Sequence, residues 1–354
     1  MCQNLLIVYS LILMKHILNN LYIFSNNKYL HKEHETIEVM ERNEDGTSKI
    51  IAYFPVHTLS GIYFFNTSLI SSWLVVFCSE NCINLSYFSE QGRFLGRLVG
   101  AKQGNVLLRK RQYTLTKEEK YCLSKNQVIA KLRSSVNFLS RFSRNHNINL
   151  DKNIDIIKYH IQNIKNNKFD SINALIGYEG TCAKLYFSCF SSMLLNKNFS
   201  YEGRTRRPPK NPVDAMLSYL YAILEADITS ALNGVGLDPQ EGFLHVDKSG
   251  RESLSLDIIE EFRSFIVDRL VISMVNRNEI DINLFKYDCL GAITMDEKIR
   301  KYIVNAYQKY KQNVITHQYL NEKVQIGLIF HIQAMLYSKY LRGELSNYPP
   351  FYFR

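Results

Sequence analysis

The 354-residue sequence is poor in cysteine, proline and tryptophan, with 7, 7 and 1 of each. The cysteines (Cys2, Cys78, Cys82, Cys122, Cys182, Cys189 and Cys289) are odd in number, never form a CxxC pair and mostly sit among apolar neighbours. That excludes a disulfide framework and a zinc ribbon, and suits reduced thiols in a cytoplasmic protein. No apolar run reaches the roughly 18 residues of a membrane span, so no membrane association is expected. The segment Leu5 to Met14 imitates a signal but lacks a basic n-region and a small-residue cleavage site. Residues 1–13 therefore read as a possible mis-started extension, with Met14 as the alternative start. Phosphate-loop and nucleophile motifs are also missing. Gly92, Gly96, Gly100 and Gly104 fit neither a Walker nor a dinucleotide fingerprint, no GxSxG occurs, and His31-x-x-His34 and Cys78-x3-Cys82 lack a matching second pair.

What is present is ordinary globular composition, 46% hydrophobic and 21% charged, which rules out disordered, collagen-like and coiled-coil chains. The length suits two domains, or three. Lys+Arg 43 against Asp+Glu 33 gives a net charge of +10, which fits a polyanionic partner such as nucleic acid, the surface of a membrane the chain does not span, or the coding bias that enriches Lys and Asn together. Between Gln91 and Lys117 the chain carries Arg93, Arg97, Lys102, Arg109, Lys110 and Arg111 with no acid. A solvated basic face and a DNA-backbone contact both fit that stretch.

Periodicity divides the chain. His16–Phe24, Thr36–Arg42, Ser48–Pro55, Gly61–Phe64, Ile83–Phe88 and Arg93–Leu98 read as strands, with one helix over Ser68–Ser79 capped by Thr67 or Ser68. From Thr116-Lys-Glu-Glu119, a capping box, the pattern turns helical. Asn211-Pro212 opens a helix that Asn233-Gly234 closes, and further helices are expected over Asn173–Leu195, Asp257–Val275, Asp296–Tyr310 and Val324–Arg342. The expected fold class is α+β: an N-terminal β-sandwich-like domain over residues 14–105, then an all-α domain over residues 106–354.

Three acidic residues stand out, at two places in the chain. Glu179 sits between glycines in an apolar helical run, where a buried carboxylate needs a partner charge or a metal, unless that edge of the helix is exposed. Asp257 and Glu260, three apart, share a helical face, with His245 just upstream; carboxylates near a helix start also simply complement its dipole. Glu179, His245 and Glu260 together make a donor set suited to Mn²⁺ or Mg²⁺.

At these residues the chain resembles the CRISPR-associated adaptation endonucleases, integrases that insert new spacers and pair with a small second adaptation protein. The resemblance rests on Gly177-Tyr-Glu-Gly180, Arg206-Arg-Pro-Pro-Lys-Asn-Pro-Val-Asp-Ala-Met-Leu-Ser-Tyr219, Leu237-Asp-Pro-Gln-Glu-Gly-Phe-Leu-His245 and Gly250-Arg-Glu-Ser-Leu-Ser-Leu-Asp-Ile-Ile-Glu-Glu-Phe-Arg263, in that order. Gln91-Gly-Arg-Phe-Leu-Gly-Arg97 and Gly104-Asn-Val-Leu-Leu-Arg109 look like the subtype I-C branch. Glu252 and Ser264 depart from prolines common in the family.

The resemblance implies that Glu179, His245 and Glu260 are the metal ligands and that Asp257 supports the catalytic site. It places a basic loop with Arg204, Arg206, Arg207, Lys210 and Asn211 beside that site, and Arg93 and Lys102 join the candidate DNA contacts. It implies metal-assisted transfer of a DNA 3′-hydroxyl onto a phosphodiester of the repeat array, on double-stranded DNA. The assembly implied is a homodimer formed through the β domain, joined by the second adaptation protein in a heterohexamer. The competing readings are a stand-alone metal-dependent DNA nuclease of repair and a non-catalytic DNA-binding scaffold. Tyr178 and Tyr219 are candidates for stacking on bases or for the core.

Overall fold

The computed structural model describes residues 19–353 apart from 25–26, 43–46, 66–67, 82, 90–93, 99–104, 168, 170, 206–207 and 288–290. The candidate extension 1–13, the Met14 start, the first residues of the strand expected from His16, and Arg93, Lys102, Arg206 and Arg207 lie outside the described residues.

Runs of β-branched and aromatic residues become strands up to Leu98, and helices dominate from Val106. Two compact units result. One holds the described residues up to Leu98 with 325–328; the other holds those from Asn105 to Val324 and from Ile329 to Phe353.

The first unit contains β1 (Asn19–Ile23), β2 (Lys28–Glu33), β3 (Thr36–Arg42), β4 (Ser48–Pro55), β5 (Leu59–Phe64), β6 (Leu69–Ile70), α1 (Ser72–Glu80), β7 (Asn84–Phe88) and β8 (Phe94–Leu98). They form two four-stranded sheets, β1-β5-β7-β8 and β4-β3-β2-β6. Leu21, Leu30, Ile37, Val39, Ile62, Phe64 and Leu85 from both sheets share one core, closed by Leu74 and Cys78 of α1. The sandwich-like expectation is therefore met. β2 was not anticipated, because Lys28, His31, Lys32 and Glu33 hide its strand pattern and only Leu30 is fully buried. The helix cap also differs: Ser71 Oγ accepts from Leu74 N at 3.2 Å, since Leu69–Ile70 pairs in parallel with Tyr29–Leu30 and keeps the chain extended there.

The second unit begins with α2 (Val106–Tyr113), α3 (Lys117–His146), α4 (Asp151–Asn166), α5 (Ile172–Ser188), α6 (Phe190–Met193) and α7 (Pro212–Val235). It continues with α8 (Ser253–Ile259), α9 (Arg269–Asn276), β9 (Phe285–Tyr287), β10 (Ile293–Met295), α10 (Glu297–Lys311), β11 (Val314–His317), β12 (Glu322–Gln325) and α11 (Ile326–Leu341), whose first residues belong to the other unit. The Thr116–Glu119 capping box opens α3 as expected. α7 starts at Asn211-Pro212 but runs through Gly234, and it ends at Gly236, whose φ of 90° is the left-handed conformation that glycine accommodates without strain. The all-α expectation for this half needs amendment, since β9–β10 and β11–β12 are two small two-stranded sheets.

The helix expected over Asp257–Val275 is interrupted. At Glu260, Glu261 and Phe262 the backbone N–H groups bond three residues back, and Arg263–Asp268 then widens into π-helical geometry before α9. This change of pitch lets two consecutive carboxylates be buried with different partners. Glu261 accepts from Tyr348 Oη at 2.6 Å and from Phe351 N at 2.7 Å, pinning the C-terminal segment. Burial pushes its carboxyl up to about 7 against those hydrogen bonds. Glu260 meets cations instead.

Candidate functional site

After Gly236 the chain folds into a loop that lies on the first turn of α8. Asp257, fully buried on that helix, organises it: Oδ2 accepts from Phe243 N at 2.7 Å and Leu244 N at 3.0 Å, and Oδ1 accepts from His245 N at 2.9 Å. The ring Nδ1 of His245 lies 2.7 Å from the same Oδ1. A carboxylate has only acceptors to offer, so this contact assigns a proton to Nδ1, and in the neutral ring Nε2 is then the atom with the free lone pair. A carboxylate behind an imidazole in this way is the usual support of a metal-binding histidine. Helices α2 and α3 hold the loop from the other side, with Gln112 Nε2 donating to Asp238 O at 2.7 Å and Ser124 Oγ to Phe243 O at 2.8 Å.

Glu179 on α5 and Glu260 at the end of α8 are 81 positions apart in the chain yet share one ammonium. Lys131 of α3 is ion-paired with Glu179 Oε1 and lies 2.8 Å from Glu260 Oε2. Arg263 closes the other side, its Nη1 2.6 Å from Glu260 Oε1. Glu260 is nearly sealed, with a side chain only 4% exposed. Burial alone would raise its carboxyl, but Arg263 and Lys131, with a contribution from His245 in its protonated form, hold it below the usual carboxylate range. Burial similarly opposes the charge on Lys131, and Glu260 and Glu179 reverse that and raise its amine. Glu260 Oε2 is buried, and the group it faces is the Lys131 ammonium.

The donor types fit a hard divalent ion: two carboxylates from separate helices and an imidazole already held by a second carboxylate. The buried Oε2 of Glu260, which already faces a cation, is the kind of atom such an ion satisfies. Among the described residues no group of three or more His, Cys, Asp or Glu side chains is gathered tightly enough to hold a metal as it stands, and the nitrogen of Lys131 occupies the junction of the two carboxylates.

The basic loop is partly structural. Asp214, fully buried in the first turn of α7, accepts from Thr205 N, from Thr205 Oγ1 at 2.7 Å and from Asn211 Nδ2 at 2.9 Å. Arg204 turns inward, with Nη1 2.9 Å from Asp214 Oδ1 and Nη2 3.0 Å from Ser218 Oγ. Arg204 and Asn211 are therefore part of the loop's own frame and do not stand free toward a ligand, whereas Lys210 is exposed. The Tyr221 ring lies under both guanidinium groups, 5.7 Å from Arg204 and 5.0 Å from Arg263, so this loop and the Glu260 cluster touch one aromatic ring. Tyr219 is buried, which makes it a core residue and not a base-stacking one. Tyr178 packs against Phe169 and His160 at 4.9 and 5.6 Å.

Of the expected residues, Glu179 and Glu260 are brought onto one cation, His245 acts electrostatically on Glu260, and Asp257 holds His245. Lys131 and Arg263 were missed. The signal for Lys131 was a lone cation between Val128-Ile-Ala130 and Leu132, the counterpart of the lone acid at 179. A Cβ added at Gly177 or Gly180 would meet nothing within 4 Å, so packing among the described residues does not require the glycines flanking Glu179.

The family model described as CRISPR associated protein Cas1 matches residues 21–309. The CRISPR-associated endonuclease Cas1 1 of Chlorobaculum tepidum is 37% identical over 350 residues, covering 96% of this chain and 100% of that protein. Among solved structures, a casposase bound to integration product superposes with a TM-score of 0.82 at 22% identity, covering 95% of this chain and 94% of that one. A chain of a Cas6-RT-Cas1–Cas2 complex superposes with a TM-score of 0.76 at 19% identity, covering 94% of this chain and 36% of that one. At such identities the structural likeness speaks for the fold alone.

Proposed function

This chain belongs to the CRISPR-associated Cas1 family, and from that membership we propose that it is a metal-dependent DNA endonuclease and integrase of CRISPR adaptation. The observation that carries the reading is the convergence of Glu179 and Glu260, from helices distant in sequence, on a single cation, beside a histidine that Asp257 orients through Nδ1. Glu179, Glu260 and His245 Nε2 are the proposed ligands of Mn²⁺ or Mg²⁺. When bound, such an ion supplies Lewis acidity toward the scissile phosphate and its charged oxygens.

The rest is the work of this chain's side chains. Asp257 keeps the proton on Nδ1, so His245 offers a neutral lone pair at Nε2. Arg263 draws one oxygen of Glu260 toward itself, fixing the carboxylate's rotation. Lys210, with Arg206 and Arg207, supplies phosphate contacts that set DNA position and not sequence. The attacking group is the 3′-hydroxyl of incoming double-stranded DNA in integration, or water in simple cleavage. Proposed with it are a dimerisation domain over residues 14–105, a catalytic domain over residues 106–354 and a cytoplasmic location. A homodimer assembling with a Cas2 partner into a heterohexamer is proposed too. Among the described residues, no helix is long and apolar enough to cross a membrane. Subtype I-C remains a proposal from Gln91–Arg97 and Gly104–Arg109 alone.

Incubating the full chain with a 3′-hydroxyl duplex and a supercoiled repeat-bearing plasmid tests this reading. Joined products identify an integrase, nicks alone identify the stand-alone nuclease, and neither product identifies a binding scaffold. Glu179→Ala and His245→Ala should each abolish Mn²⁺-dependent products while leaving DNA affinity within a few-fold. Unchanged turnover in either variant refutes the ligand assignment.

A further inference from the structure

We propose that Lys131 is a built-in surrogate for the metal ion: its ammonium holds the Glu179 and Glu260 carboxylates together in the metal-free protein and leaves when a divalent cation enters. This rests on the proposed metal site and adds the state from which that site is loaded.

Three observations lead there. First, the position is the same. Among the described residues, the ammonium nitrogen is the point that both carboxylates contact, and an ion bound by both would have to occupy that junction at the shorter distances of metal–oxygen bonds. Second, exchange adds less charge than simple addition. Glu179 and Glu260 face Lys131 and Arg263, two negative groups against two positive ones, within a largely buried cluster. An added divalent cation raises the local charge by two, whereas exchange for Lys131 raises it by one, which a bound DNA phosphate offsets. Third, the two cations are not equivalent. The Arg263 guanidinium is stacked over Tyr221 and hydrogen-bonded to Glu260, whereas Lys131 is a point charge on a flexible stem, its ammonium held, among the described residues, by the two carboxylates alone. The flexible lysine is therefore the cation the exchange displaces, and the arginine, tied to both a ring and a carboxylate, is the one it leaves in place.

The exchange differs from the alternative in which lysine and metal sit side by side. With exchange, cation binding exposes Lys131; with coexistence, Lys131 stays paired or becomes more enclosed. Lysine acylation of the full-length wild-type chain, mapped by mass spectrometry with and without saturating Mn²⁺, reads this directly. The expected result is a several-fold rise in labelling at Lys131, with no such rise in Glu179→Gln. In parallel, Mn²⁺ binding followed by electron paramagnetic resonance of the free ion should be about tenfold tighter or more in Lys131→Met than in wild type. If wild type binds Mn²⁺ and Glu179→Gln does not, but labelling at Lys131 is unchanged or falls, the surrogate role is overturned and the metal site stands. If wild type binds Mn²⁺ no better than Glu179→Gln, the metal-site reading itself fails, and this inference with it. The labelling arm uses the wild-type chain, so it decides the question even if Lys131→Met does not fold.

Discussion

Replacing Asp257 by alanine is the most informative single perturbation, because one side chain supports both the fold of the His245 loop and the orientation of the ring. Its carboxylate accepts from three backbone N–H groups and from His245 Nδ1, and two of those donors, at Phe243 and Leu244, are buried. A buried donor left without an acceptor costs about 1–3 kcal/mol, and the His245 end is open enough for water to replace part of what is lost. The expected destabilisation is therefore about 3–5 kcal/mol, a large share of the roughly 5–15 kcal/mol that holds a domain together. Asp257→Asn keeps one acceptor oxygen but turns an amide NH₂ toward a donor, so it should lose about half as much and provide a folded comparison. With the ring no longer held through Nδ1, Mn²⁺ affinity should fall about 10–100-fold in both variants. Urea unfolding of the full chain measures the first effect and Mn²⁺ titration the second. A wild-type unfolding midpoint in Asp257→Ala would refute the account of the loop. Lost stability with unchanged Mn²⁺ affinity would refute the link from Asp257 through His245 to the ion.

Two further expectations concern packing and pH. Gly242→Ala should destabilise by about 1–3 kcal/mol, because its Cβ would lie 2.8 Å from Ser253 Cβ and 2.9 Å from Asp257 Oδ2, neither of which can yield easily; a melting temperature equal to wild type contradicts this. Burial raises the Asp268 carboxyl from 3.8 to about 6 despite hydrogen bonds from Tyr221 and Tyr186. Between those values the folded state binds more protons than the unfolded one, so stability falls as pH rises through the window and levels off above it. The contribution is about 3 kcal/mol, from roughly two units at 1.36 kcal/mol each. Asp268→Asn should flatten that slope in unfolding curves taken from pH 4 to 7. His317, pushed down to about 4 by burial, gives an opposite slope over an overlapping window, and Glu261, raised to about 7, gives one of the same sign that continues above it, so variant and parent must be compared directly. Identical slopes in the two proteins count against the raised carboxyl.

Much of the architecture was legible because local chemistry decides it. The strands at Thr36–Arg42 and Ser48–Pro55 follow from alternating side chains, and the helix starts at Thr116 and Asn211-Pro212 follow from capping groups that need only three or four neighbouring residues. Where two local signals competed, the reading missed. Lys28–Glu33 is a strand by virtue of its pairing with β3, and Asn233-Gly234 stays helical because the left-handed turn falls at Gly236. The break after Ile259 has no local cause in the sequence: Glu260 and Glu261 are each drawn to partners brought by other segments, Lys131 on one hand and Tyr348 with Phe351 on the other.

The sequence by itself determined the kinds of group available: an acid in an apolar helix at 179, a histidine ahead of Asp257 and Glu260, and a basic loop ending in a helix cap. It could not say which charges meet, since contacts between residues tens of positions apart depend on how helices pack and not on their own propensities. Tertiary structure decided that Arg204 faces Asp214 and that Asp257 serves His245. It also decided that one lysine stands where Glu179 and Glu260 converge. The physical reason is that a buried charge is tolerated only beside a partner, and only the folded chain brings that partner within reach.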